Sequence, residues 1–131
     1  MTELLTLVVY MAVLTWLAVL FASQLRSKTW TIQGLMLAMS NRDQMPEATP
    51  LAGRADRAAH NTVDNFLLFA ALALVAHVSG TASPRVLLGA EIFFWSRLLY
   101  IPVYYAGIMY LRTAIWTISI VGLGMMVSAM V

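Results

Sequence analysis

One stretch of the chain places polar side chains at the spacing of a single helical face. Arg54, Arg57, Asn61 and Asp64 follow one another at intervals of three and four residues, and His60 lies at the edge of the same stripe. Residues at these spacings are neighbours on a helix surface. Guanidinium groups bind carboxylates in two-pronged contacts, and an asparagine amide both donates and accepts hydrogen bonds. The stripe is therefore suited to holding a small anionic ligand.

A second polar stripe follows in a later, mostly apolar segment. Arg97, Tyr100 and Tyr104 again repeat at intervals of three and four residues. An isolated charge inside a membrane-spanning helix is costly, so Arg97 must face a partner. Asp64 is the carboxylate expected at a comparable depth. We predict that Arg97 and Asp64 form an ion pair that joins the two helices.

The two stripes and their surroundings carry more cations than anions. Arg57, His60, Arg97 and Arg112 together outnumber Asp64, and helix N-termini add partial positive charge. This surplus indicates a small polyanionic ligand or a lipid headgroup at the edge of a bilayer. Two structural interpretations remain open. Arginines near a helix end can serve only as topology anchors, and a buried Arg–Asp pair can be purely a scaffold.

The chain that carries these stripes is strongly apolar. Of its 131 residues, 61% are hydrophobic and 11% are charged, whereas soluble domains carry roughly 25% charged residues. Four charge-poor stretches approach the length of about 20 residues with which a helix crosses a bilayer core. Backbone in lipid must satisfy its own hydrogen bonds, and no alternation of period two indicates a barrel. We therefore predict an all-α integral membrane protein with four transmembrane helices.

Local start and stop signals give the boundaries of these helices. Thr49–Pro50 and Ser83–Pro84 each combine an N-cap residue with a proline at the first helical position, and Gly80 supplies a C-terminal stop. A single domain, residues 1–131, is predicted to contain helices at about residues 3–25, 50–79, 84–107 and 112–131. The apolar side chains of the first connection, residues 26–48, either rest at the membrane interface or belong to a plain loop.

The basic residues predict how the helices are oriented. Only Arg85 lies on the middle connection, and neither chain end carries Lys or Arg. Six basic residues lie on the first and last connections or at the adjoining helix ends: Arg26, Lys28, Arg42, Arg54, Arg57 and Arg112. Because cytoplasmic loops are enriched in Lys and Arg, we expect these connections in the cytoplasm and both termini on the non-cytoplasmic side.

The composition also argues against several classes of protein. The chain has no cysteine, which excludes disulfides, thiolate metal sites and a thiol nucleophile belonging to the protein. No metal-ligand spacing is present, and a net charge of +2 is too small to indicate nucleic acid. A small four-helix drug transporter needs an ionisable residue deep in its first helix, where this chain has only Glu3 at the extreme end. Glu91 is assigned no function.

These motifs resemble those of the MAPEG family, the membrane-associated proteins in eicosanoid and glutathione metabolism. The resemblance rests on RADRAAHNTVDNF, which follows the family pattern of Arg, two residues, Arg, then Asn and an acidic residue three later. It extends to RLLYIPVYYAG, which is similar to the family pattern of an arginine followed by two aromatic positions. Weaker landmarks are SQLR and YLRT. The number of helices and the orientation agree over the whole chain.

The resemblance implies both an assembly and a site. The fold would be a left-handed four-helix bundle that forms a homotrimer, with glutathione bound between helices of neighbouring subunits near the cytoplasmic side. Arg112 would be the catalytic residue that stabilises the glutathione thiolate. The residues implied to bind glutathione are Arg26, Arg54, Arg57, His60, Asn61, Asp64, Arg97, Tyr100 and Tyr104.

The function implied by the resemblance is glutathione transfer to a lipophilic electrophile, or glutathione-dependent reduction or isomerisation of one. Such chemistry suits a chain without cysteine, because the nucleophile is the thiol of the substrate, activated by a nearby cation. The alternative is a non-catalytic lipid-binding or scaffold member of the family. Three departures from the family pattern are Asp64 in place of glutamate, Pro102 between the two tyrosines, where it is expected to kink the helix, and a different interval between Tyr104 and Arg112.

Overall fold

The computed structural model describes residues 1–131 and contains five α-helices and no strands. They are α1 (Glu3–Ser27), α2 (Ile32–Met39), α3 (Pro50–Ser79), α4 (Pro84–Ala106) and α5 (Met109–Met130). All except α2 are long and apolar enough to cross a membrane. The predicted all-α fold with four membrane-spanning helices is therefore confirmed. We refer to the end of the bundle that carries residues 28–49 as the loop end.

The start and stop signals in the sequence act as predicted. The hydroxyl of Thr49 accepts a hydrogen bond from the amide of Ala52 at 3.1 Å, which caps α3. Ser83 caps α4 in the same way, and Gly80 ends α3 in the left-handed conformation with φ of 73°. Each cap satisfies backbone groups that have no partner within the helix. The 30-residue α3 is thus fixed at both ends.

The first connection is not entirely a loop, and it includes a short helix that the sequence analysis did not predict. It contains the eight-residue α2, capped by the hydroxyl of Thr31, which accepts from the amide of Gly34 at 2.9 Å. Gly34 lies so close to the end of α1 that a Cβ atom there would overlap the carbonyl oxygens of Ser27 and Lys28. A short apolar segment is ambiguous in sequence, and this contact with α1 is visible only in three dimensions.

The half of the bundle away from the loop end is held together by a large apolar core. Phe69 of α3 stacks on Phe93 of α4 with ring centroids 4.6 Å apart. Beside this pair, α4 and α5 approach closely at Gly89 and Gly122, each of which faces the other's carbonyl oxygen. Small residues permit such close packing of membrane helices. This core fixes the spacing of the helices whose other ends carry the polar stripes.

Replacing Gly122 with alanine is expected to destabilise the bundle by about 1–3 kcal/mol, the usual cost of overpacking. The added Cβ would lie 2.7 Å from the carbonyl oxygen of Gly89 and 3.0 Å from the amide nitrogen of Phe93. Both are backbone atoms, so α4 and α5 must move apart. Gly124→Ala is the matched control, because no atom lies within 4 Å of its Cβ position. Equal thermal unfolding temperatures for the two variants in detergent would contradict the close contact.

At the loop end, α1 and α3 are joined by a cluster of small side chains. Ala18 and Ala22 of α1 pack against Ala55 and Ala59 of α3, and all four are buried. The short side chains let the two helices lie close together. A neighbouring face of α3 packs against α4 through Ala58, next to the tyrosine pair. The polar stripe of α3 lies on the remaining face of the helix, where its side chains are exposed or half-buried.

Candidate functional site

Four of the predicted site residues, contributed by α3, α4 and α5, line a small cleft at the loop end, which we call the tyrosine cleft. Its volume is about 210 Å³. It is lined by Asn61, Tyr100, Tyr104, Arg112, Thr113 and Trp116. The lining includes one arginine and no carboxylate, so the cleft offers positive charge that no acid on its wall neutralises.

Two arginines and two tyrosines form a continuous stack along this cleft. The Cζ atom of Arg97 lies 4.2 Å from the ring centroid of Tyr100, and the two tyrosine rings meet edge to face at 5.5 Å. The Cζ atom of Arg112 lies 4.6 Å from the ring centroid of Tyr104. Cation–ring and edge-to-face contacts of this kind are attractive. The helix α4 continues past Pro102 to Ala106, so the proline does not separate the tyrosines.

The two arginines of the α3 stripe make different contacts. Arg57 is exposed, and its Nε atom donates to the hydroxyl oxygen of Tyr104 at 3.3 Å. This places a second guanidinium beside the tyrosine cleft. The Nε atom of Arg54 instead donates to the carbonyl oxygen of Tyr105 at 3.0 Å. Arg54 thus ties α3 to the end of α4 and does not line the tyrosine cleft.

The predicted ion pair between Arg97 and Asp64 is absent, and this prediction was wrong for the single chain. Arg97 is completely buried, and its Nη2 atom donates to the hydroxyl oxygen of Thr62 at 2.9 Å. Asp64 is exposed and forms no salt bridge. Thr62 and Asp64 are two residues apart and so point about 200° apart around the helix. The face of α3 that packs on α4 carries Thr62, while Asp64 is turned away from it.

The other predicted residues lie in a second cleft, between α1 and α3, which we call the α1–α3 cleft. Its volume is about 510 Å³, and Arg26, His60 and Asp64 are on its wall. His60 is exposed, and its Nδ1 atom lies 3.5 Å from a carboxylate oxygen of Asp56. The same Nδ1 atom lies 2.8 Å from the backbone carbonyl oxygen of Asp56, so Asp56 fixes the orientation of the imidazole ring.

The α1–α3 cleft also contains residues that the sequence analysis did not assign. Ser27 and Arg42 line it beside Arg26. The Nη1 atom of Arg26 and the hydroxyl of Ser27 are buried without a hydrogen-bond partner in the protein. Buried polar groups are normally paired, so these two atoms are candidates for ligand contacts. Nothing in the sequence spacing marks Ser27, because its burial depends on how α2 folds against α1.

The predicted residues are thus divided between two clefts by an exposed ridge of α3. Arg57 and Asp64 lie on this ridge, with the tyrosine cleft on one side and the α1–α3 cleft on the other. Ligand pockets usually enclose about 300–1,000 Å³, and the tyrosine cleft falls below this range. One chain alone therefore does not enclose a ligand against the tyrosine pair.

Glu91 lies far from both clefts. It lines a separate cavity of about 280 Å³ with Glu3 and Tyr10 near the N-terminal end of α1. It forms no salt bridge with Arg85. The acid that the sequence analysis left unassigned is therefore not part of the loop-end site.

The fold and the two clefts define an integral membrane protein in which two clefts with polar walls lie at one end of a bundle of four membrane-spanning helices. The chain matches the model of the MAPEG family over residues 4–131, and it belongs to that family. Membership supports, in general terms, a membrane protein that is related to glutathione or to eicosanoid metabolism. Comparison with curated proteins and with solved structures finds no match to the chain.

Proposed function

We propose that the protein is a membrane-bound, glutathione-dependent transferase that acts on lipophilic electrophiles. The observation that carries this proposal is the stack at the tyrosine cleft, where Arg57 and Arg112 both contact Tyr104 and no acid lines the wall. Two cations beside a hydrogen-bonding phenol suit an anionic peptide and a developing thiolate. Family membership supports the choice of glutathione as that peptide.

Glutathione carries two carboxylates and one ammonium group, so its site needs more cations than anions. In the proposed complex Arg57 binds a carboxylate in a two-pronged contact, and Asn61 hydrogen-bonds the peptide backbone. Asp64 binds the ammonium group. Asp64 is available for this role because it is exposed and is not paired with Arg97. Tyr100 contacts the peptide from α4.

The proposed assembly is a homotrimer in which each glutathione lies between two subunits. The tyrosine cleft of one subunit is open and small, and the ridge beside it is exposed, so a second wall is needed. We propose that the α1–α3 cleft of the neighbouring subunit supplies that wall, with Arg26 and His60. We propose that the loop end faces the cytoplasm, because six of the eight Lys and Arg residues lie on or beside it.

Native mass spectrometry of the protein released from detergent is expected to show a single species of three chains. An oligomer is expected because the tyrosine cleft is too small to enclose a ligand without a second copy, and the family resemblance implies that the copies number three. Cross-linking through single cysteines is straightforward, since the chain has none of its own. Only monomers or dimers, both in detergent and in lipid, would contradict the proposed assembly.

In the proposed reaction the glutathione thiol first loses its proton to solvent. The thiolate is stabilised by the guanidinium of Arg112, which lies in the first turn of α5, where the helix dipole adds positive potential. The thiolate sulfur then attacks the electrophilic carbon, so that a C–S bond forms as the bond to the leaving group breaks. The lipophilic substrate enters sideways from the bilayer between helices.

The proposal is tested by mixing glutathione with the protein in nanodiscs and following thiolate absorbance in the ultraviolet. A saturable thiolate signal and conjugation of a lipophilic halonitrobenzene are the expected results. Reduction of a lipid hydroperoxide, or isomerisation without net loss of glutathione, would assign the related activities. A protein that bound lipid but gave neither thiolate nor turnover would instead be a non-catalytic member of the family.

A further inference from the structure

Arg97 is the largest completely buried side chain in the protein, and it has no carboxylate partner. Its one hydrogen bond runs from Nη2 to the hydroxyl oxygen of Thr62 at 2.9 Å, while Nε and Nη1 have no partner in the protein. Its only other close polar contact is the face of the Tyr100 ring, 4.2 Å from Cζ. Two contacts therefore determine where this guanidinium lies.

Thr62 is equally buried and is oriented by a hydrogen bond of its own. Its hydroxyl donates to the carbonyl oxygen of Ala58 at 2.7 Å, one turn earlier in α3. A hydroxyl has one hydrogen and two lone pairs. With the hydrogen directed at Ala58, a lone pair is left to accept the N–H of Arg97. Thr62 thus presents a fixed acceptor to α4.

We propose that Thr62 and Arg97 are positioning residues that hold the phenol of Tyr100 toward glutathione and that neither touches the ligand. This inference rests on the proposed function. Arg97 is completely buried and does not line the tyrosine cleft, whereas Tyr100 does. A guanidinium on the ring face draws electron density toward itself, which makes the hydroxyl of Tyr100 a better hydrogen-bond donor to a thiolate. Thr62 acts only through Arg97.

The test compares Thr62→Val with Thr62→Ser in nanodiscs. Valine has the same shape without the acceptor, whereas serine keeps the hydroxyl. Thr62→Val is expected to bind glutathione about as well as the parent, but to raise the apparent pKa of the bound thiol by about one unit, or about tenfold less thiolate at a fixed pH. Thr62→Ser is expected to restore the parent titration. Thiolate absorbance against pH and calorimetric affinity are the measurements.

Thr15→Val is the matched control. Thr15 is also buried, and its hydroxyl donates to the carbonyl oxygen of Met11 at 2.7 Å, the same bond one turn back along a helix. It lies on α1 and lines neither cleft. Thr15→Val therefore measures the effect on the thiol titration of losing a buried threonine hydroxyl that is not bonded to Arg97. The thiol titration of Thr15→Val is expected to match the parent.

The proposal is overturned if folded Thr62→Val gives the same thiol titration as the parent. A purely structural role of Thr62 predicts a lower unfolding temperature together with an unchanged thiol titration. If Thr62→Val does not fold, Thr62→Cys takes its place, because a thiol is similar in size but accepts weakly. A titration of Thr62→Cys equal to that of Thr62→Ser then overturns the proposal. A parent protein that binds no glutathione would refute the proposed function itself, which is a separate result.

Discussion

Arg112→Ala is expected to lower the rate of glutathione conjugation about 100-fold or more, the usual loss when one preorganised charge-stabilising group is removed. The guanidinium of Arg112 lies over the Tyr104 ring and lines the tyrosine cleft. In the proposed reaction it stabilises negative charge on sulfur, which is greatest once the thiol has ionised. The change should therefore fall mainly on kcat and on the thiolate titration, with a smaller effect on glutathione affinity.

Arg112→Lys distinguishes the contribution of the positive charge to the rate from that of the guanidinium geometry. Lysine keeps the positive charge but cannot reproduce the planar contact of a guanidinium with the ring, so partial recovery of the rate is expected. Arg85→Ala, in the first turn of α4 at the other end of the bundle, is the control for loss of one basic residue. Steady-state kinetics measure both variants. Equal turnover by Arg112→Ala and Arg85→Ala would show that Arg112 has no catalytic role.

Arg57→Ala is expected to weaken glutathione binding at least tenfold, or about 1.4 kcal/mol. Arg57 is exposed on the ridge, with its Nε atom 3.3 Å from the Tyr104 hydroxyl, so its remaining N–H groups are free for a carboxylate. Arg57→Lys is expected to restore only part of the affinity, because an ammonium group makes no two-pronged contact. Calorimetry on protein in nanodiscs measures both changes.

The same pair of variants distinguishes a ligand contact from a topology anchor. Lysine serves an anchor as well as arginine does, and an anchor has no effect on the affinity of a soluble peptide. Equal glutathione affinity for the parent, Arg57→Ala and Arg57→Lys would show that Arg57 is a topology anchor and does not bind the ligand. Arg85→Ala again provides the control for a basic residue remote from the site.

The long helices could be predicted from sequence because their signals are local. The caps at Thr49 and Ser83 and the stop at Gly80 depend on a few neighbouring residues, and each acts in the structure as its type predicts. The helix α2 could not be predicted in this way. It is short, and its contact through Gly34 with the end of α1 depends on the path of the chain between them.

The partner of Arg97 shows a different limit of sequence reasoning. The apolar surroundings correctly required a partner, and Asp64 was chosen for its charge and expected depth. Sequence indicates depth along a helix, but the direction from which α4 approaches α3 is set by packing of Ala58 against the tyrosine pair. Because of that direction, Arg97 meets the face of α3 that carries Thr62. A neutral hydroxyl is also an unexpected acceptor for a buried cation, since carboxylates are its usual partners.

The sequence predicts only part of the way in which side chains come together at the tyrosine cleft. The interval between Tyr100 and Tyr104 places them on one face of a helix, and the rings do meet. Arg112 lies beyond the break at Gly107, which adopts a φ of 76° between α4 and α5. Where α5 starts after that break decides whether Arg112 reaches the cleft. The interval in sequence alone therefore does not fix its place over Tyr104.

The central claim is that glutathione binds at the tyrosine cleft, and a crystal structure of the protein grown in lipid with glutathione tests it most directly. We expect density for the tripeptide between two subunits, with a carboxylate against Arg57 and the sulfur near Arg112 and Tyr100. Arg97 should lack any contact with the ligand. Saturating glutathione that leaves the tyrosine cleft without tripeptide density, or that binds away from Arg57 and Arg112, would contradict the claim.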